Sequence, residues 1–254
     1  MGKYAELTKK YRMIYDIHTH TIFSHGKGTI EDNVKAAISK GLSSIGIAEH
    51  GPGHVLYGVK RKQLPVMKKE IERLKSEYKD IEILLGVEAN IINPSGRLDV
   101  TSDDIKKLDY VLAGYHYATF GEKPLKALKT HIVNFRVFNR KTKDTKQKIY
   151  NTALVIKALY ENDIKVLTHP GDKGDFDLMA IAKACEETNT LMEINTWHNA
   201  PLISQLKELI KTQVLFVISS DAHSPDRVGF FEPGLKRALE AGLDPARIVN
   251  LEEI

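Results

Sequence analysis

The sequence predicts an α/β fold: a closed or nearly closed barrel of alternating strands and helices, with an open doubly wound sheet as the alternative. Three observations predict it. Short runs rich in Ile, Val and Leu alternate with amphipathic stretches, the pattern of parallel strands covered on both faces and joined by helices. No repeat, low-complexity tract or Pro/Gly/Ser linker divides the 254 residues, a length that one large domain can occupy. The histidines also fall at the ends of the apolar runs. The expected organisation is therefore one domain over residues 1–254, with residues 1–12 as an N-terminal extension.

The strand candidates, in order, are Met13–Ile17, Ser44–Ala48, Ile81–Val87, Tyr110–Gly114, Lys165–Thr168, Leu191–Ile194 and Val214–Ser219. Between the first two, Thr29 is placed to cap a helix whose first turn holds Glu31 and Asp32. Lys40 and Gly41 close that helix, so cap and charge both suit its dipole. Pro65 suits the first turn of a helix running to about Tyr78. Further helices are expected at about Thr145–Glu161, Asp175–Glu187, Pro201–Lys211 and Glu232–Ala241. The long interruption, residues 115–144, carries Lys123, Lys126, Lys129, Arg136, Arg140, Lys141 and Lys143 with Tyr117, Phe120, Phe135 and Phe138 interleaved. It is a candidate lid or substrate wall, or equally a surface helix or loop with a few aromatic anchors.

Composition removes several classes. The apolar runs are too short for a membrane helix, and the polar, charged N-terminus has no signal-peptide core, so a cytoplasmic location is expected. A single cysteine, Cys185, excludes an internal disulfide framework and a cysteine-based zinc ribbon; its helical context reads as a small buried residue. Thirty-seven basic against 33 acidic residues suit a small anionic molecule better than a nucleic acid.

In (β/α) architectures functional side chains gather at the C-terminal ends of strands. Those ends here hold Asp16, His18 and His20, followed by His25; then Glu49 and His50; Glu88; His116; His169; and Asp221 with His223. Side chains at i and i+2 on a strand share a face, so His18 and His20 can converge, as can Asp221 and His223. Imidazole and carboxylate ligate zinc, manganese and iron. The seven histidines with Glu88 and Asp221 make nine such groups, more than one ion needs, so two or three divalent ions are expected.

Taken together, the motifs HTH, SHG, AEHGP, GVEANI, AGYH, THPGD and SSDAH resemble those of the PHP (polymerase and histidinol phosphatase) family, with the YcdX-like phosphatases as the most similar subgroup. The resemblance runs in order from about residue 14 to residue 240. It implies a distorted (β/α)7 barrel with a trinuclear metal site and phosphoesterase activity. Its ligand positions match His18, His20, His25, His50, Glu88, His116, His169, Asp221 and His223, and none is missing. Glu49 stands where many relatives carry aspartate, which implies a change behind the ligand histidine. The expected reaction is hydrolysis of a small phosphomonoester by a metal-bound hydroxide, with no side-chain nucleophile. The rivals are a histidinol-phosphate phosphatase, a phosphodiesterase or exonuclease acting on nucleic acid, and a non-catalytic metal-binding module.

Other positions have smaller roles in this reading. Asp16 is expected to share the face of His18 and orient a ligand imidazole. Arg227 is a candidate for a phosphate oxygen, and Lys27 and Arg61 are weaker ones. His54, His131 and His198 lie outside the ligand pattern and read as surface residues, with His198 also placed to line the site.

Overall fold

A computed structural model describes residues 5–93, 95–119, 124–140 and 144–254. Its elements run α1 (Ala5–Lys10), β1 (Tyr11–Met13), β2 (Tyr15–Thr19), α2 (Ile30–Ser39), β3 (Ser44–His50), α3 (Leu64–Glu77), β4 (Glu82–Asn90), α4 (Ser102–Ile105) and β5 (Tyr110–Gly114). They continue with α5 (Pro124–Arg140), α6 (Thr145–Glu161), β6 (Val166–Leu167), α7 (Leu178–Thr188), β7 (Leu191–Asn195), α8 (Ile203–Leu209), β8 (Phe216–Ser219), α9 (Glu232–Ala241) and β9 (Leu251–Glu253).

Strands β2 to β8 form one parallel sheet in strict sequence order. A parallel bridge between Thr19 and Ala222, with His20 N donating to Ala222 O at 2.8 Å, joins the two edges. The architecture is thus the nearly closed, distorted (β/α)7 barrel, not the open doubly wound sheet. Inside it, Ile17, Ala48, Leu112, Val166 and Val217 form a small core, one residue from each of five strands. Below them lies Tyr110, whose hydroxyl donates to Ile17 O at 2.7 Å. A side chain at Gly46 or Gly86 would collide with its ring, so those glycines make room for the plug. The larger core, including Ile45, Ile47, Ile83, Leu85 and Met192, lies between strands and helices.

The local signals act as the sequence suggests. Thr29 and Asp32 form a reciprocal capping box on α2, and Asp177 caps α7. The N-terminal stretch, described from Ala5, joins the body through β1, which pairs antiparallel with β9. Two details differ from expectation. Strand β2 begins at Tyr15 and not Met13, because Tyr11–Met13 belongs to that second sheet. The long interruption contains the helix α5, which turns His131 and Asn134 inward; Tyr115 OH is 2.9 Å from His131 Nδ1 and accepts from Asn134 Nδ2 at 2.7 Å. His131 is therefore buried, not superficial. Lys129 and Arg136 are exposed on α5, while Phe120, Lys123, Lys141 and Lys143 lie outside the described residues.

Candidate metal centre

Strand pleating decides what meets at the barrel mouth. Pairing of Ala48 with Gly86 and of His50 with Glu88 keeps these four on the inner face, and Glu88 in turn is level with Leu112. On β2 the register slips: Asp16 is level with Ile45 but Thr19 with Ile47, so two residues of β2 oppose one of β3. This bulge brings both Ile17 and His18 to the interior, and it separates Asp16 from the face of His18. Asp16 consequently orients no imidazole. Fully buried, it accepts from Gly229 N at 2.9 Å, from Ser220 N at 3.3 Å, from the Ser220 hydroxyl and, at 3.4 Å, from the backbone N of His18, which ties β2 to the segment after β8.

The orienting carboxylate is Glu193 on β7. Its Oε1 lies 2.6 Å from His18 Nδ1, and its Oε2 accepts from His169 N at 2.6 Å. Glu193 was not singled out from the sequence, although an acid within the run LMEIN, in phase with Asn195, is the available signal. Asn195 extends the network by donating to Glu193 Oε2 at 2.9 Å and Asp221 Oδ2 at 3.0 Å.

Glu88 occupies the centre. Its carboxylate is 2.8 Å from His50 Nδ1, 2.9 Å from His169 Nε2, 3.2 Å from His116 Nε2, 3.5 Å from His18 Nε2 and 3.8 Å from His20 Nε2. Asp221 Oδ1 lies 3.2 Å from His20 Nε2 and 3.6 Å from His18 Nε2. Three triads have ligand atoms within 4.8 Å of one another: His20–His50–His223, His18–His20–Asp221 and His50–Glu88–His116. His169 joins through Glu88. His25 is exposed and stands farther out, its ring 4.9 Å from that of His223 and 6.0 Å from that of His50.

Burial alone would push the Glu88 carboxyl up, but the imidazoles of His116 and His18 outweigh it and hold it well below its usual range. His20 is driven well down by burial, reinforced by His50. At His18 burial is outweighed by the carboxylates of Glu193, Asp221 and Glu88, which raise it well above its ordinary value. The centre thus combines anionic carboxylates with imidazoles held down, as at His20 and His116, and one held up. His18 Nε2, His20 Nδ1 and Nε2, His50 Nδ1, Glu88 Oε2, His116 Nδ1 and Asp221 Oδ1 are buried without a hydrogen-bond partner. Two members of the candidate set also carry backbone strain: His169 and Asp221 both have left-handed φ, at 30° and 50°. At Gly114 a side chain would strike Thr168, with the His169 and His116 rings just beyond, so that position must stay bare.

The remaining candidates divide. Glu49 lies behind the centre, with Oε2 3.9 Å from His20 Nδ1, and accepts from Thr21 N at 2.9 Å and from the Thr21 and Ser24 hydroxyls, shaping the loop that carries His25. Burial pushes its carboxyl up to about 7 against those hydrogen bonds. His198 does line the site, with Nδ1 3.1 Å from Asp172 Oδ2 and Nε2 3.6 Å from Asp221 Oδ2. His54, expected at the surface, is half-buried with its ring 5.8 Å from that of His50. Both are drawn in because the loops after β3 and β7 fold over the mouth. Lys173, missed in the sequence, is 3.4 Å from the same Asp172 oxygen and supplies a cation beside the mouth. Arg227 stacks over the rings of Trp197 and Phe230, at 5.2 and 4.6 Å. Arg61 is bound to Asp104 at 2.9 Å and to Asp99 O and so is committed elsewhere, and Lys27 is exposed.

The sequence pattern of the PHP domain matches residues 16–213. A protein of Thermoanaerobacter sp. (strain X514) that carries the name "probable phosphatase" is 29% identical, covering 95% of this chain and 91% of its own length. One of the same name from Proteus mirabilis is 28% identical, covering 92% and 89%. Among solved structures, a Listeria monocytogenes protein named as a histidinol phosphatase superposes with a TM-score of 0.62 at 17% identity, covering 85% of this chain and 97% of its own. A Lactococcus lactis histidinol phosphate phosphatase, solved with zinc, L-histidinol and phosphate, gives 0.51 at 17% identity, covering 93% and 95%. At that identity both speak for the fold. No helix among the described residues is long and apolar enough to cross a membrane. With the family pattern spanning most of its length, the chain belongs to the PHP domain family, and it is a phosphatase.

Proposed function

We propose that the protein hydrolyses small phosphomonoesters with the help of two or three divalent cations, zinc, manganese or iron, held by His18, His20, His25, His50, Glu88, His116, His169, Asp221 and His223. The YcdX-like subgroup is the narrower placement this reading adopts. The observation that carries it is the set of ligand atoms at the centre that are buried yet unpartnered. Buried nitrogens and oxygens that make no hydrogen bond cost free energy that a bound cation repays, and an all-nitrogen-and-oxygen donor set fits borderline divalent ions. When bound, such cations supply a water that ionises near neutral pH and a Lewis-acid hold on phosphoryl oxygens.

The chain's own groups do the rest. Glu193 fixes the tautomer and tilt of His18, so that Nε2 faces Glu88 and Asp221. Glu88 and Asp221, each close to several imidazoles, are placed to bridge. Lys173 and His198, both within 3.4 Å of Asp172, set positive and donor groups beside the mouth, where a phosphate dianion needs them.

The test is a metal analysis of the purified protein together with turnover of p-nitrophenyl phosphate, its bis ester, histidinol phosphate and single-stranded DNA. Chelation should abolish monoester turnover, and Mn²⁺ or Zn²⁺ should restore it. Full activity in a His18→Ala/His20→Ala variant, or preference for the diester or DNA, would overturn the reading.

A further inference from the structure

Helix α5 turns a polar side inward. His131 and Asn134 are buried and reach Tyr115 at the end of β5, and Asn134 exchanges hydrogen bonds with Asn151 of α6 at 3.1 and 2.8 Å. Apolar residues stand on its outer side: Leu125 is 83% exposed, Leu128 45%, Ile132 43% and Phe135 57%. At positions i, i+3, i+7 and i+10 they form one stripe on a helix of about 3.6 residues per turn. The Phe135 ring also meets that of Tyr117 edge-on at 6.0 Å, which fixes the C-terminal end of the stripe to the barrel. Single exposed apolar residues need no explanation, but four large ones in a row on one helix do.

Charge narrows what can cover this stripe. Helix α5 carries Lys126, Lys129, Arg136 and Arg140 and no acidic residue. Lys129 and Arg136 are exposed and follow Leu125 and Ile132 by four residues, so cations line one margin of the stripe. The occupant must accept an apolar ridge and a row of cations together. A second copy meeting α5 about a two-fold axis would bring two sets of like charge together, with no acid on either helix to offset them. A nucleic acid would take the cations but leave Leu125, Leu128 and Ile132 in water. An anionic bilayer takes both, because its headgroups face the cations and its interface covers an apolar ridge lying in the membrane plane.

We propose that α5 is a docking helix that lays Leu125, Leu128, Ile132 and Phe135 into the surface of an anionic lipid bilayer, with Lys129 and Arg136 on its headgroups. The polar inner face, His131 and Asn134, belongs to a helix that lies along a surface and does not cross it. Tyr115, to which α5 is tied, directly precedes the candidate ligand His116, so docking holds the barrel by a segment that leads from its mouth. The proposal is independent of which ester the centre hydrolyses.

The experiment sediments the full chain with vesicles of phosphatidylcholine alone and of equal parts phosphatidylcholine and phosphatidylglycerol. Binding to the mixed vesicles should be about tenfold or more tighter than to phosphatidylcholine, and should weaken as salt rises. Leu128→Asp/Ile132→Asp and Lys129→Glu/Arg136→Glu should each lower it by about tenfold or more. All four side chains are exposed, so the circular dichroism spectrum and thermal midpoint should not change. Should the aspartates alter the spectrum, the milder Leu128→Ser/Ile132→Ser takes their place. No sedimentation with the mixed vesicles, equal sedimentation with both, or binding unmoved by both double variants would overturn the proposal. So would an oligomer in gel filtration that Leu128→Asp/Ile132→Asp dissociates while the parent ignores vesicles, which identifies a second copy as the occupant. Single-stranded DNA bound in place of vesicles, and released only by Lys129→Glu/Arg136→Glu, would overturn it in favour of a nucleic acid.

Discussion

Nδ1 of His18 and Oε1 of Glu193 lie 2.6 Å apart, and neither side chain is exposed to solvent. The pair joins β2 to β7 across the barrel interior and leaves His18 Nε2 as the nitrogen that faces Glu88 and Asp221. The second Glu193 oxygen holds the backbone N–H of His169, so one carboxylate orients parts of two candidate ligands. Glu193→Gln preserves volume but weakens both contacts. Loss of such an orienting group commonly costs about 10–100-fold in metal affinity or activity. We expect that fall in metal content or kcat/KM, with an unchanged far-UV circular dichroism spectrum. Activity within twofold of wild type would show that the pair is dispensable.

Removing divalent cations should lower thermal stability as well as activity. The centre packs Glu88 and Asp221 among imidazoles whose facing atoms are otherwise unpartnered, and an unfolded chain presents no such arrangement. A ligand at a thousandfold excess over its dissociation constant stabilises by about 4 kcal/mol. For a chain of this size each kcal/mol shifts Tm by about 2–4 °C, so chelation should cost roughly 8–16 °C. Differential scanning fluorimetry before chelation, after it, and after metal is restored measures this. A Tm that ignores the chelator counts against a cation-filled centre.

The barrel and the ring of candidate ligands were legible because both rest on period-two patterns. Apolar runs mark strands buried on both faces, and polar residues at their C-terminal ends mark the mouth. What escaped has identifiable causes. Asp16 and His18 share a parity in the sequence, but the slip between Asp16 and Thr19 breaks it, and no residue there announces a bulge. Glu193 stands at the end of its run, in Glu193-Ile194-Asn195, but with no histidine beside it nothing marked it as part of the centre. His54 and His198 sit on loops whose closure over the mouth depends on backbone contacts such as Val55 N to Ala118 O, which no local pattern encodes. His131 lies on α5, where its phase toward Tyr115 is visible only once the helix is placed.

Cys185 should behave as an inert thiol. It is fully buried on α7, and burial, aided by Glu186, pushes its pKa from the ordinary value of 9 up to about 12. Its folded pKa is raised, so its favourable contribution is complete below pH 9 and is lost as pH rises toward 12. Native protein at pH 8 should resist a thiol reagent such as Ellman's, whereas denatured protein should release one equivalent. Rapid stoichiometric labelling of the native state would place the thiol at the surface instead.

Asp16 and Glu193 predict opposite phenotypes, and the contrast separates scaffold from site. Asp16 spends its carboxylate on Ser220 N, the Ser220 hydroxyl and Gly229 N, clamping β2 to the segment after β8 where the barrel edges meet. Hydrogen bonds to a charged group contribute about 1.5–3 kcal/mol each, and the donors abandoned by Asp16→Ala would stay buried. The expected loss is on the order of 3 kcal/mol or more, read from the urea unfolding midpoint. Metal bound per folded molecule should be preserved, because Asp16 touches no imidazole ring and meets His18 only through its backbone N, at 3.4 Å. A loss below about 1 kcal/mol would mean that water or rearranged backbone replaces the clamp. Depletion of metal in the folded fraction, with stability intact, would return Asp16 to the orienting role that its sequence position suggests.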